Sequence, residues 1–137
     1  KHFISAFGEH VIGKEVEAAM IKACVKTKSE VVEFTVAPQV DGGQNSLPYH
    51  EWFVEFSKDP NDFDEFTKII DDEMQNQNVY YQDLIQGNIL RPVVLTVLKR
   101  DAFVEYMKSI GKLGGQNKVP RLSNDRKIAD KLSNFKA

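Results

Sequence analysis

Two hydrophobic periods follow one another along this chain, and few architectures accommodate both. In GKEVEAAMIKACVKT the apolar residues Val16, Ala19, Met20, Ala23 and Cys24 recur every three or four positions. That is the spacing of one helix face, and it predicts a helix from about Gly13 to Thr27. Directly afterwards EVVEFTVAP alternates, with Val32, Phe34 and Val36 on one side and Glu33 and Thr35 on the other, and Pro38 closing the run. Alternation of that kind is a strand with one buried face. The turn-forming stretch QVDGGQNSLP then leads to YHEWFVEFS, where Trp52, Val54 and Phe56 share a side, which predicts a second strand antiparallel to the first.

The same two periods repeat further on. DPNDFDEFTKIIDDEMQNQN opens on Asp59 and Pro60, a cap and first-turn pair, and carries Phe63, Phe66, Ile69 and Ile70 on one stripe, so a second long helix is expected. VYYQDLIQGN fits either an extension of that helix or a separate turn. RPVVLTVLK is a β-branched strand, and DAFVEYMKSIG a short helix with Asp101 as cap and Gly111 as terminator. A last helix is expected from near Ser123 or Asn124 through DRKIADKLSNF. With HFISAF taken as a first strand, the order is β-α-β-β-α-β plus two C-terminal helices. This predicts an α+β domain, a ferredoxin-like split βαβ sheet with additional C-terminal helices, spanning residues 1–137 as one unit. Such sheets serve many purposes, so the fold alone fixes little about function.

The 137 residues are 42% hydrophobic and 28% charged, which suits one domain with a real core. The longest apolar run, PVVLTVL, has the length of a strand and falls far short of the roughly 20 residues that span a bilayer. KHFISAFGEH lacks an initiator methionine, a signal-peptide core and a small-residue cleavage site, and reads as a cut edge. Cys24 is the single cysteine, so no intramolecular disulfide forms and a reducing, cytoplasmic setting is the default expectation. The net charge of −2 hides an asymmetry: Lys108, Lys112, Lys118, Arg121, Arg126, Lys127 and Lys131 stand against only Asp125 and Asp130 in that stretch. A local positive field on an acidic body suits a small anionic ligand better than a long nucleic-acid backbone. Arg126, Lys127 and Lys131 read as the solvated face of a helix.

Most familiar site chemistries find no residues here. His2, His10 and His50 are far apart and have no Cys or carboxylate at metal-ligand spacing. Neither Ser5 nor Ser123 sits in a nucleophile elbow, and Cys24 lies mid-helix without a paired histidine. The acidic stretches do not follow the calcium-loop pattern, and YHEWFVEF lacks the basic and aromatic signature of an RNA-binding sheet. His10 is either a satisfied loop histidine or a ligand-facing one. His50 and Trp52 read as strand positions.

The loop GKLGGQNKVPRLSND is the exception. Gly114 and Gly115 allow backbone conformations closed to other residues, and Pro120 stiffens the chain just after Lys118. A lysine presented in this way is a compact charge for phosphate, and Arg121 offers a planar fork for further oxygens. The loop is neither a P-loop nor a Rossmann turn. On physical grounds alone, a surface loop with incidental charge explains it equally well.

ISAFGEHVIGKEVEAAM and GKLGGQNKVPRLSNDRKIADKL closely resemble the C-terminal domain of the auxin-responsive, Gretchen Hagen type acyl acid amido synthetases, particularly their bacterial members. HEWFVEF and DFDEFTKIIDDEMQNQNVYYQDL resemble it too, so the likeness covers nearly the whole chain. That family is similar to the wider adenylate-forming superfamily, in which a large N-terminal domain precedes a small mobile one.

The resemblance implies a ligase that joins a carboxylic acid and ATP into an acyl-adenylate and pyrophosphate, then passes the acyl group to an amino acid amine with release of AMP. It implies Lys118 as the catalytic lysine, with Gly114, Gly115, Gln116 and Arg121 near the nucleotide. Gly8 and Glu9, in FGEHVIGKEVE, would lie at the domain junction. The hinge Asp or Arg of many superfamily members has no counterpart here. ATP and its Mg2+ would be held mainly by the N-terminal domain, the isolated domain would be inactive, and neither nucleic acid nor membrane is an expected partner. The contrasting expectation is a stand-alone ferredoxin-like module that binds a small molecule without catalysis.

Overall fold

The computed structural model describes residues 3–41, 43, 46–112 and 118–137. The first helical period becomes helix α1, Gly13–Thr27, with Val16, Ala19, Met20 and Ala23 buried along its stripe. Glu15 reaches back to accept from the Ile12 amide at 3.0 Å, which satisfies one of the amides a helix start leaves open. The helix stops where Lys28 turns left-handed, at φ 56°, and the Ser29 amide closes back on the Cys24 carbonyl.

Strands β3 (Glu30–Gln39) and β4 (Tyr49–Lys58) pair antiparallel, with Phe34 opposite Val54 and Val36 opposite Trp52. Strand β5 (Val94–Leu98) adds to β4 in parallel, giving a three-stranded sheet in the order β3-β4-β5. A parallel neighbour needs a crossover, and two helices supply it: α2 (Phe63–Gln77) and α3 (Val79–Gln86). The VYYQDLIQ segment is therefore a helix of its own. Asn78 makes the break, since its side chain accepts from the Tyr81 amide and starts α3.

The α+β class, the central hairpin and the added C-terminal helices agree with the sequence pattern. The first strand departs from it. Phe3–Ile4 (β1) pairs with Val11–Ile12 (β2) in a separate two-stranded sheet and does not join the main one. Ile4 and Val11 are still fully buried against the first core cluster, so the segment packs as an arm on the domain. Part of the outer edge of β3 is taken instead by the chain near Leu122, which bridges in parallel to Val36.

Four further expectations are corrected. Val32 is 57% exposed, because the β3–β4 register shifts between Val31 and Glu33 and turns Val32 away from the face that holds Phe34. The cap of α2 is Asp62, whose carboxylate accepts from the amides of Asp64 and Glu65, and not the Asp59-Pro60 pair. Asp101 makes no side-chain cap for α4 (Ala102–Ser109); the amides of Asp101 and Phe103 bond the carboxylate of Glu55 on β4. The last helix, α5 (Lys127–Leu132), begins later than expected because residues 121–123 are engaged at the sheet edge.

Both faces of the sheet are covered. Phe34, Val36, Trp52, Val54 and Phe56 pack with α1 and α2 in one cluster, while Ala37, Phe53 and Leu98 pack with Phe103, Tyr106 and Leu132 from α4 and α5 in another. Alternation along β4 consequently buries Glu51 and Glu55 as well as its apolar residues. Each finds a partner: Glu51 accepts from Arg126 and Thr96, and Glu55 caps α4. No helix among the described residues is long and apolar enough to cross a membrane.

Candidate functional site

Lys118 stands exposed at the start of a stem that is fixed to the sheet edge residue by residue. Val119 is buried in the second core cluster. The Pro120 carbonyl accepts from the Thr35 hydroxyl at 2.7 Å. The Val36 amide donates to the Arg121 carbonyl and the Ser123 amide donates to the Val36 carbonyl, each at 3.0 Å. Leu122, between them, is buried in the first cluster. Five consecutive residues after the lysine thus have a main-chain or core anchor. Gly114, Gly115 and Gln116 lie outside the described residues.

Arg121 is engaged internally. Its Nε donates to Glu17 of α1 at 2.7 Å, and its Nη1 donates to Glu33 and to the Phe34 carbonyl, the latter at 2.7 Å. The guanidinium lies 4.2 Å from the centre of the Phe34 ring, which is itself stacked on Trp52. Burial would pull the Arg121 pKa down, but the hydrogen bonds and attraction of Glu33 and Glu17 outweigh it and leave the pKa above the usual arginine value. The charge is therefore permanent and already paired with two carboxylates.

A shallow depression of about 390 Å³ lies beside this stem, bordered by Phe3, Pro120, Ser123, Asn124, Lys127 and Ile128. Asn124 ties its rim to the N-terminal arm, accepting from the Ser5 amide at 3.0 Å. Arg126, read from sequence as part of a solvated face, instead pairs with the buried Glu51 at 2.8 Å and holds the start of α5 against the sheet. Lys127 and Lys131 are exposed, as expected.

The arm contains the other two expected site residues. Gly8 has φ +87°, a conformation that favours glycine, in a turn closed by its amide on the Ser5 carbonyl. Glu9 is wholly buried. Its Oε2 lies 2.7 Å from His50 Nε2, its Oε1 accepts from the Phe7 amide, and its carbonyl accepts from Asn78. Burial pushes the Glu9 carboxyl up, yet the hydrogen bonds from His50 and from backbone amides, with the attraction of His50, leave it below the usual range. The carboxylate of Glu9 is thus used inside this domain, holding the arm to β4. The His10 ring lies tilted beside Phe3, ring centres 5.0 Å apart.

Sequence reasoning missed Glu17, Glu33 and Thr35 as partners of the loop stem, and Glu51 as the partner of Arg126. Glu17 and Glu33 look like ordinary solvent-facing acids in their elements, and only the return of residues 118–123 to the edge of β3 gives them a role.

The mixed α+β fold, with residues 118–123 anchored along its sheet edge, can be set beside known proteins. A family model, the GH3 family C-terminal domain, matches residues 14–127, and the chain belongs to this family. Among solved structures, one described as "GH3.15 acyl acid amido synthetase" is similar at a TM-score of 0.77 and 16% identity, over 100% of this chain and 25% of that one. A second, "AtGH3.15 acyl acid amido synthetase in complex with 2,4-DB", is similar at the same score and identity over 100% of this chain and 26% of its own. At such identity the likeness is one of fold. The chain spans about a quarter of the length of these structures. No curated protein matches the chain.

Proposed function

We propose that this chain is the C-terminal domain of an acyl acid amido synthetase. In that reading the whole ligase forms an acyl-adenylate and pyrophosphate from a carboxylic acid and ATP. An amino acid amine then attacks the acyl carbon, giving the amide and AMP. Lys118 supplies positive charge beside the α-phosphate while pyrophosphate departs, an electrostatic contribution that acts on the transition state. Gly114, Gly115 and Gln116 join it near the nucleotide on sequence grounds. Arg121 serves the same loop, and the arm with Gly8 and Glu9 faces the junction with an N-terminal adenylation domain in the cytoplasm.

The observation that carries this reading is the exposed ammonium of Lys118 at the head of an anchored stem. Preorganised charge of this kind avoids reorganisation at the moment of reaction. Among the described residues no three His, Cys, Asp or Glu side chains converge. In this reading the Mg2+ that accompanies ATP is held mainly by the N-terminal domain. The test is Lys118→Ala in the full-length protein, assayed by acid-dependent pyrophosphate exchange. A loss of about 100- to 1,000-fold is expected, by analogy with removing one preorganised donor. Unchanged exchange would remove Lys118 from the chemistry.

A further inference from the structure

We propose that Arg121 is a positioning residue for Lys118: through its ion pairs to Glu17 and Glu33 it sets where the lysine ammonium stands. This rests on the adenylate-forming reading of the loop.

The geometry separates what the main chain fixes from what the side chain fixes. The two hydrogen bonds between residues 121–123 and Val36 hold the stem along the edge of β3. They gather at a single residue of the strand, and the buried Val119 and Leu122 with the Pro120–Thr35 bond add to them. Arg121 adds a side-chain tie from the stem to α1. Its guanidinium reaches Glu17 on α1 and Glu33 on β3, two different elements, and takes the Phe34 carbonyl and ring as a floor. A planar fork held by two carboxylates resists rotation as a single point contact cannot. Lys118 lies three residues upstream, with Val119 buried and the Pro120 carbonyl bonded to Thr35 between them, so a roll of the stem at Arg121 moves the lysine.

The same contacts argue against direct ligand binding by Arg121. The donors on Nε and Nη1 already face acceptors of this domain, and the side chain is 30% exposed. Displacing Glu33, the less exposed of the two carboxylates, would leave a partly buried charge unpaired. A misplacement of about 1 Å at a reacting group lowers rate by about 100-fold, so loss of the clamp is expected in turnover and not in nucleotide affinity.

The experiment uses the full-length protein and measures the rate and the KM for ATP in acid-dependent pyrophosphate exchange. Arg121→Gln is expected to lower kcat by about 10- to 100-fold with KM for ATP nearly unchanged, and Glu33→Gln to move kcat in the same direction. Arg121→Lys keeps the charge but cannot bridge both carboxylates, and falls between. In a Lys118→Ala background, Arg121→Gln adds no further loss. Losses that multiply in the double variant, or a raised KM at full kcat, overturn the inference and make Arg121 a ligand of the nucleotide. Full kcat for Arg121→Gln beside an impaired Lys118→Ala overturns it and leaves the reading of Lys118 intact. Full activity of Lys118→Ala sinks that reading first. Should Arg121→Gln fail to fold, Glu17→Gln and Glu33→Gln, each of which leaves one ion pair in place, carry the same comparison.

Discussion

The Tyr81 hydroxyl donates to Asp71 Oδ1 at 2.6 Å in the interior of the domain, and the Val93 amide donates to the same oxygen at 3.0 Å. One carboxylate on α2 thereby fastens both α3 and the chain leading into β5. Burial, together with the Asp71 charge and hydrogen bond, pushes the Tyr81 pKa well up, so the phenol stays a donor. Asp71→Ala strands the hydroxyl and the amide together and is expected to cost about 3 kcal/mol or more. Tyr81→Phe leaves Asp71 its other donors and costs about 1.5–3 kcal/mol. Denaturant midpoints of the two variants give the comparison, and equal losses would count against the shared-acceptor account.

Acid should loosen the N-terminal arm. The Glu9 pKa is lowered in the folded state relative to its ordinary value of 4.5, so the folded state holds this carboxylate deprotonated where the unfolded chain would already bind a proton. Its stabilising contribution is complete above about pH 4.5 and fades as pH falls through the lowered folded value. Hydrogen exchange of the Phe7 amide, which donates to Glu9, should accelerate across that range relative to amides of β4 such as Val54. Glu9→Gln should flatten this acid dependence, and an unaltered acid limb in that variant would contradict the assignment.

Removing the carboxylate of Glu55 should unravel the start of α4 before anything else. It is buried and takes two amides that the helix start leaves open. Glu55→Ala is expected to cost about 1–2 kcal/mol, the range for loss of an N-terminal cap. The protection of the Asp101 and Phe103 amides should fall first in hydrogen exchange.

Arg126→Ala leaves Glu51 buried with Thr96 as its remaining side-chain donor. An uncompensated buried carboxylate costs about 3–5 kcal/mol. Exchanging both residues, Glu51→Gln with Arg126→Met, removes both charges and should recover most of the stability. A double exchange no better than Arg126→Ala would show that the ion pair is not the source of the loss.

Cys24 is partly buried, and burial pushes its thiol up despite a hydrogen bond toward Ser29. Since the thiolate is the nucleophile, alkylation by iodoacetamide at neutral pH should run slower in the folded protein than after denaturation. Mass spectrometry reads this cleanly because the chain has one cysteine.

Helix α1 was legible to its last residue because nothing competes with a 3.6-residue stripe that faces one core. The alternation of Trp52, Val54 and Phe56 gave β4 for the same reason. Periodicity reports one buried face, however, and β4 has two, so nothing in the alternation marked Glu51 and Glu55 as buried, which they are where α4 and α5 cover the second face. The first strand misled because two residues with a hydrophobic inward position satisfy a strand pattern in any sheet, and only the tertiary arrangement chose the small β1–β2 pair. Lys118 stood out in the sequence for its glycine and proline neighbours, whereas the Arg121 clamp did not, since Glu17 and Glu33 lie 104 and 88 residues away along the chain.

By itself, then, the order of residues determined α1, the central strands, the single cysteine and the presence of a lysine beside glycines and a proline, features set within a few positions of the chain. The folded arrangement alone decided which carboxylates meet Arg121, Arg126, His50 and Tyr81. Those pairings depend on distances between elements, and a charge has no period along the chain from which its partner could be read.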